Sequence, residues 1–164
     1  MSSYEPLYVD YLIYFNRDQD YFECHEVLEE LWLERDRDTF YKGLLQIAVG
    51  LYHFRNNNLR GGRMMLQSAV ELLEHYPENA RGIELGKLVE EVKELVQGLS
   101  GPDPENVPYR DLTIQIWDKA LLDAVQERSL QLKPNIPQRR SPTRGRIYEE
   151  KMKALQQEQN SNGK

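Results

Sequence analysis

At 164 residues the chain is long enough for one domain with a proper core, and its 40% hydrophobic and 29% charged content is that of an ordinary globular protein. No long uncharged apolar run is present to form a transmembrane helix. The net charge of −6 is uneven: from Lys133 onward 8 Lys/Arg face 3 Asp/Glu, so removing that +5 leaves −11 for residues 1–132, a body that repels nucleic acid and anionic lipid.

The opening MSSYEPLYVDYL has no basic stretch before its apolar residues, which argues against a secretory signal. Cys24 is the one cysteine, so an intrachain disulfide and a cysteine-rich zinc site are both excluded; a cytoplasmic location is expected.

Pro6 suits the first turn of a helix, and Leu7, Tyr8, Tyr11, Leu12 and Phe15 follow at helical spacing. Asn16 and Asp18 interrupt, and either is a fit cap for the next helix. This second helix is predicted over residues 20–35. Its apolar positions form two stripes, Tyr21, Cys24, Leu28, Leu31 and Phe22, His25, Glu29, Trp32, which together predict a wide buried face containing two polar members, His25 and Glu29.

The third helix, over residues 40–54 with Asp38 as its cap, is apolar on most sides. Phe40, Leu44, Ile47, Leu51 and Phe54 form one stripe, and Tyr41, Leu45, Ala48 and Tyr52 the next. A third stripe carries Gly43, Gln46, Gly50 and His53. Each mid-helix glycine costs about 1 kcal/mol relative to alanine, a cost tolerated where a neighbouring backbone comes close. The glycine stripe is therefore expected to face another helix, and the helix bearing His25 and Glu29 is the best candidate.

Asn56-Asn57-Asn58 predicts a turn, followed by a fourth helix over residues 59–76 that buries Met65, Leu66, Ala69, Leu72 and Leu73. A fifth, over 83–99, places Leu85, Leu88, Val92, Leu95, Val96 and Leu99 on one side, and Ser100-Gly101-Pro102 ends it. Residues 112–117 alternate as an extended segment would, and a short amphipathic helix follows over 119–128. After Pro134 too few apolar residues remain to offset ordering entropy, so the tail is expected to be mobile or dependent on a partner.

Residues 20–32 lie over 58–70 as a weak internal repeat with an offset of 38: a turn residue, a bulky apolar residue, and a small residue three positions later. That order resembles the opening of a tetratricopeptide-type hairpin. The fold expected is all-α, a compact bundle of about five helices stacked as antiparallel hairpins around a buried central helix. Its parts would be the bundle (1–100), a loop and short helix packing on it (101–132), and a basic tail (133–164).

The run Tyr21-Phe22-Glu23-Cys24-His25-Glu26-Val27-Leu28-Glu29-Glu30-Leu31-Trp32 is followed by Tyr41-Lys42-Gly43-Leu44-Leu45-Gln46-Ile47-Ala48-Val49, Tyr52-His53 and Asn58-Leu59-Arg60-Gly61-Gly62. Over roughly residues 8–75 this pattern resembles the domain-of-unknown-function family 309. The resemblance implies a small helical bundle of bacterial, archaeal and plastid proteins with no established activity, and a small residue where Gly62 stands. It covers nothing after Gly101.

Function is not specified by any catalytic motif. His25-Glu26-x-x-Glu29 has glutamate where a zincin helix needs histidine, so a metalloprotease is excluded. Phosphate-cradling and dinucleotide-binding glycine patterns are also absent. His25, Glu29, Gln46 and His53 form a candidate polar seam. Its favoured reading is a structural network in which each imidazole nitrogen finds a partner, because an unsatisfied buried polar group costs about 1–3 kcal/mol. A small-ligand pocket, or a divalent metal held by His25, Glu29 and His53, are the alternatives. Arg139, Arg140, Arg144 and Arg146 suit a solubilising tail, or contact with RNA or an anionic surface. The functional expectation is a non-enzymatic protein-interaction or scaffold module with no cofactor, whose partner is another protein or a second copy of itself; the alternative is a metal- or ligand-binding protein or enzyme built on the His/Glu cluster.

Overall fold

The computed structural model describes residues 4–134; the four tail arginines lie outside the described residues. Six α-helices are present among them: α1 (Pro6–Asn16), α2 (Tyr21–Glu34), α3 (Thr39–Arg55), α4 (Leu59–Leu73), α5 (Leu85–Leu99) and α6 (Lys119–Gln131). The fold is all-α. Short polar residues start four of the helices by accepting an orphan backbone N–H. Asp20 accepts from Glu23 N at 3.1 Å, Asp38 from Phe40 N at 2.9 Å, Asn58 from Gly61 N at 3.0 Å and Asp118 from Ala120 N at 3.3 Å.

Asp20 thus takes the capping role expected of Asn16 or Asp18. Gln19, with φ 49°, turns the chain so that the aspartate after it meets the helix. Asp18 instead pairs with Arg17 at 2.9 Å. Two further boundaries differ from expectation: α4 ends at Leu73, and Ile83 precedes α5 as extended chain bridging antiparallel to Ile116.

The internal repeat is visible as geometry. The turns Arg17-Asp18-Gln19-Asp20 and Arg55-Asn56-Asn57-Asn58 join α1 to α2 and α3 to α4 as two hairpins. Gln19 and Asn57 both have positive φ (49° and 65°), and the caps Asp20 and Asn58 share φ −93°, ψ 79° and φ −91°, ψ 79°. The small residue of each copy then meets its partner helix backbone. Cys24 Sγ lies 3.6 Å from the Tyr11 carbonyl oxygen, and a Cβ on Gly62 would lie 3.1 Å from that of Gly50.

The central helix α3 packs against both α2 and α4. Its apolar stripe Phe40, Leu44, Ile47, Leu51 and Phe54 is buried throughout. The glycine stripe, however, faces α4 and not the helix bearing His25 and Glu29. A Cβ on Gly43 would fall 2.5 Å from Leu73 Cγ, and one on Gly50 would fall 2.7 Å from Leu66 Cγ and 3.2 Å from the Gly62 carbonyl oxygen. The short turn after Arg55 folds α4 straight back on α3, so the glycines serve that close pair. The wide buried face expected of α2 is also narrower. Tyr21, Cys24, Leu28 and Leu31 are buried, but Phe22, His25 and Trp32 are half-buried and Glu29 is exposed, because α2 packs chiefly on α1 and α3 and turns its remaining side to water.

After α5 the chain crosses the bundle as an extended strap over residues 107–118. Leu112 and Ile114 enter the core while Thr113, Gln115 and Trp117 point outward, as the alternation predicts. Asn16 clasps the strap through both ends of its amide, Nδ2 donating to Ile114 O at 2.9 Å and Oδ1 accepting from Ile114 N at 2.8 Å. At the position 38 residues on, Phe54 meets Tyr109 edge to face at 5.1 Å. No helix among the described residues is long and apolar enough to cross a membrane.

Candidate functional site

Of the four seam residues, two come together. His25 and Glu29, one helical turn apart on α2, pair at 3.2 Å between Nε2 and Oε2, while Nδ1 lies 3.7 Å from Glu26 Oε1. His53, on α3, instead faces the cap of the next helix, with Nδ1 3.4 Å from Asn58 Nδ2. Partial burial lowers its pKa below the ordinary 6.5 and favours the neutral ring. Between the two histidines runs a chain of edge-to-face contacts, His25 to Phe22 at 6.1 Å, Phe22 to Tyr52 at 5.6 Å and Tyr52 to His53 at 5.9 Å. Gln46 is buried, and its Oε1 has no hydrogen-bond partner among the described residues. Neither Gln46 nor His53 bonds to the His25–Glu29 pair, and no group of three His, Cys, Asp or Glu suited to a metal occurs among the described residues.

Two other polar clusters went unread in the sequence, and both are clasps. Arg81, at φ 51°, stacks its guanidinium 4.4 Å from the Phe40 ring and 4.9 Å from Tyr41, and pairs with Asp38 at 3.0 Å. Tyr8 donates to its carbonyl at 3.0 Å. Tyr21 and Tyr109 both donate to Asp111 Oδ1, the first at 3.0 Å, so the strap is tied down above α2. Burial, reinforced by the Asp111 charge, pushes both phenols well above the usual tyrosine range. At the strap's end Tyr4 donates to Asp118, and its pKa is raised to about 12 by burial and then by that carboxylate.

A surface groove of about 450 Å³ opens where the strap meets the start of α5. Glu78, Asn79, Glu84, Lys87, Glu90 and Trp117 line it. Trp117 is held at two points, its backbone N–H donating to Gly82 O and its indole Nε1–H to Asn79 O, each at 3.0 Å. Its side is nevertheless 53% exposed. The Arg81-Gly82 turn presents that backbone acceptor: Gly82 takes φ 84°, and a Cβ there would lie 2.6 Å from the Tyr4 hydroxyl, so only glycine fits. The sequence did hold a signal for this residue, since Trp117 falls on the polar phase of the 112–117 alternation, where a tryptophan has no packing reason to be. A second groove, of about 420 Å³, lies between α4 and α5 against Val70, Glu71, Lys93 and Val96.

These features define a protein of paired helical hairpins bound by an extended strap, with open surface grooves on the α4–α5 side. The chain belongs to the family described as domain of unknown function (DUF309), whose model matches residues 8–65. It is 34% identical over 126 residues to an uncharacterized protein, YpuF, of Bacillus subtilis (strain 168), a match that covers 74% of this chain and 70% of the relative. An uncharacterized protein of Aquifex aeolicus (strain VF5) is 28% identical over 93 residues, 55% of this chain and 28% of that relative's length. The family match takes in both hairpin turns and the glycine-lined α3 and ends within α4; the strap and the Trp117 groove lie beyond it.

Proposed function

We propose that the protein is a non-enzymatic interaction module that docks a partner protein on its Trp117 face, acting in the cytoplasm without a cofactor. One observation carries this reading: a tryptophan hydrogen-bonded at two points keeps about half its surface in water. An aromatic side chain buries 150–250 Å², so covering the remainder releases on the order of 3 kcal/mol at roughly 25 cal/mol/Å². Because the ring is already ordered, little of that gain is lost to immobilising it. The hairpin pair, which resembles the opening of a tetratricopeptide array, supplies a stiff support.

A metal or small-ligand role for His25, Glu29, Gln46 and His53 has less behind it, since the histidines have separate partners. The interaction reading is tested by placing a photoreactive phenylalanine at Lys87, beside the groove, and at Glu30, exposed on α2, in the full chain inside its native cell. A discrete adduct from position 87 with none from position 30 is the expected result. Adducts from neither position, or the same adducts from both, would refute the reading.

A further inference from the structure

We propose that the Trp117 groove receives the guanidinium of an arginine displayed on an extended segment of the partner protein, an inference that rests on the interaction reading above. Three carboxylates, Glu78, Glu84 and Glu90, and one ammonium, Lys87, line the groove beside the exposed indole, so its local charge is −2. Glu90 shares its charge with Lys93 at 3.5 Å, whereas Glu78 and Glu84 have no ion-pair partner among the described residues. Gly86 brings one of them into position. The Cβ and Cγ of Glu78 lie 3.0 Å from where a Gly86 Cβ would stand, so the Glu78 side chain runs across the first turn of α5.

Carboxylates near a helix N-terminus stabilise the helix by themselves. That accounts for Glu84, the residue just before α5, but not for an indole held beside the same carboxylates with about half its surface in solvent. The combination is the one a planar cation recognises, stacking on the ring while its N–H groups reach flanking carboxylates. Arginine fits better than lysine because its flat fork meets both the ring face and two separated carboxylates. The groove is open and wide, so it suits a side chain carried on a strand of polypeptide rather than an enclosed metabolite.

The probe is the peptide acetyl-Gly-Arg-Arg-Gly-amide, titrated into the isotope-labelled full chain while the two tryptophan indole N–H resonances are followed. The control peptide carries citrulline at both arginine positions, which keeps the shape and removes the charge. The Trp117 resonance should move saturably with the arginine peptide while that of Trp32 stays in place, and citrulline should have no effect. Glu78→Gln with Glu84→Gln, a surface change that keeps the fold, should weaken binding about fivefold, and Trp117→Ala about tenfold or more. Equal binding of the citrulline peptide, or a Trp117 resonance that does not move, overturns the proposal. The cross-link at position 87 separates the two levels. If it forms while the arginine peptide fails to bind, the arginine inference falls and the interaction reading stands; if the cross-link is absent, the interaction reading itself has failed.

Discussion

The hairpin α1–α2 and the hairpin α3–α4 begin from the same local design and finish with different seams. Both turns read Arg, then three residues drawn from Asp, Asn and Gln, and both caps adopt nearly identical dihedrals. Even the residues just before the turns share a task, Asn16 and Phe54 each holding the strap, one by hydrogen bonds and the other by ring contact. At the seam, though, the first hairpin keeps a thiol between its helices, and the second removes side chains altogether at Gly50 and Gly62. How closely two helices of a hairpin approach is thus set by the size of very few residues, while the turn that joins them stays the same.

The largest test of that contrast is overpacking. Gly62→Val should destabilise the protein by about 3 kcal/mol, because the new methyl groups meet the backbone of Gly50 and Phe54, which cannot rotate away. Cys24→Val, near in volume, should cost less than about 1.5 kcal/mol. Urea midpoints measure both; equal losses would mean that the two seams are equally tight. The caps come next. Asp20→Ala and Asn58→Ala should each cost about 1 kcal/mol, with Asp20 the greater because it is buried and Asn58 is exposed. A larger loss at Asn58 would show that the second hairpin depends on its turn more than on its glycines.

A kinetic probe sharpens the same comparison. Burial pushes the Cys24 thiol well above its usual pKa, so a thiol reagent should modify it only at the rate of global unfolding, in a first-order reaction independent of reagent concentration at high reagent. Labelling that outpaces unfolding would show that the first hairpin opens alone. The smallest effect is a pH dependence placed in the second hairpin. His53 stands where the first hairpin has the fully buried Phe15, and burial lowers its pKa below 6.5. The unfolded chain therefore takes up the proton first, so stability falls as pH drops through about 6.5 towards the folded-state value and levels off below it. His53→Phe should flatten this part of the curve, and an unchanged slope in denaturation from pH 7.5 to 5 would remove the assignment.

Helix positions, the capping role of Asp38, the buried stripe from Phe40 to Phe54 and the in-out phase of residues 112–117 were all legible before any fold was known. Each depends on residues within a few positions of one another, and the period of an element is a local property. The family was legible for the same reason, since its motifs lie along the helices themselves. The seam was less so. Periodicity gave Gly43, Gln46, Gly50 and His53 a common stripe but not the neighbour it faces, and it put Glu29, which the fold leaves exposed, on a face expected to be buried.

Those outcomes belong to the tertiary structure. Which helix an apolar or glycine stripe meets depends on how the six described helices share a limited interior, and here Gly43 and Gly50 meet α4 while α2 packs on another side of α3. The same holds for the groove. The alternation of residues 112–117 gives Trp117 the polar phase, but its meeting with Glu78 and Glu84 came from the Arg81-Gly82 turn and the strap crossing to α5. The sequence by itself determined the helices, the Asp38 cap and the in-out alternation of the strap through local stereochemistry and burial. Only packing among distant segments decided which of those faces came together.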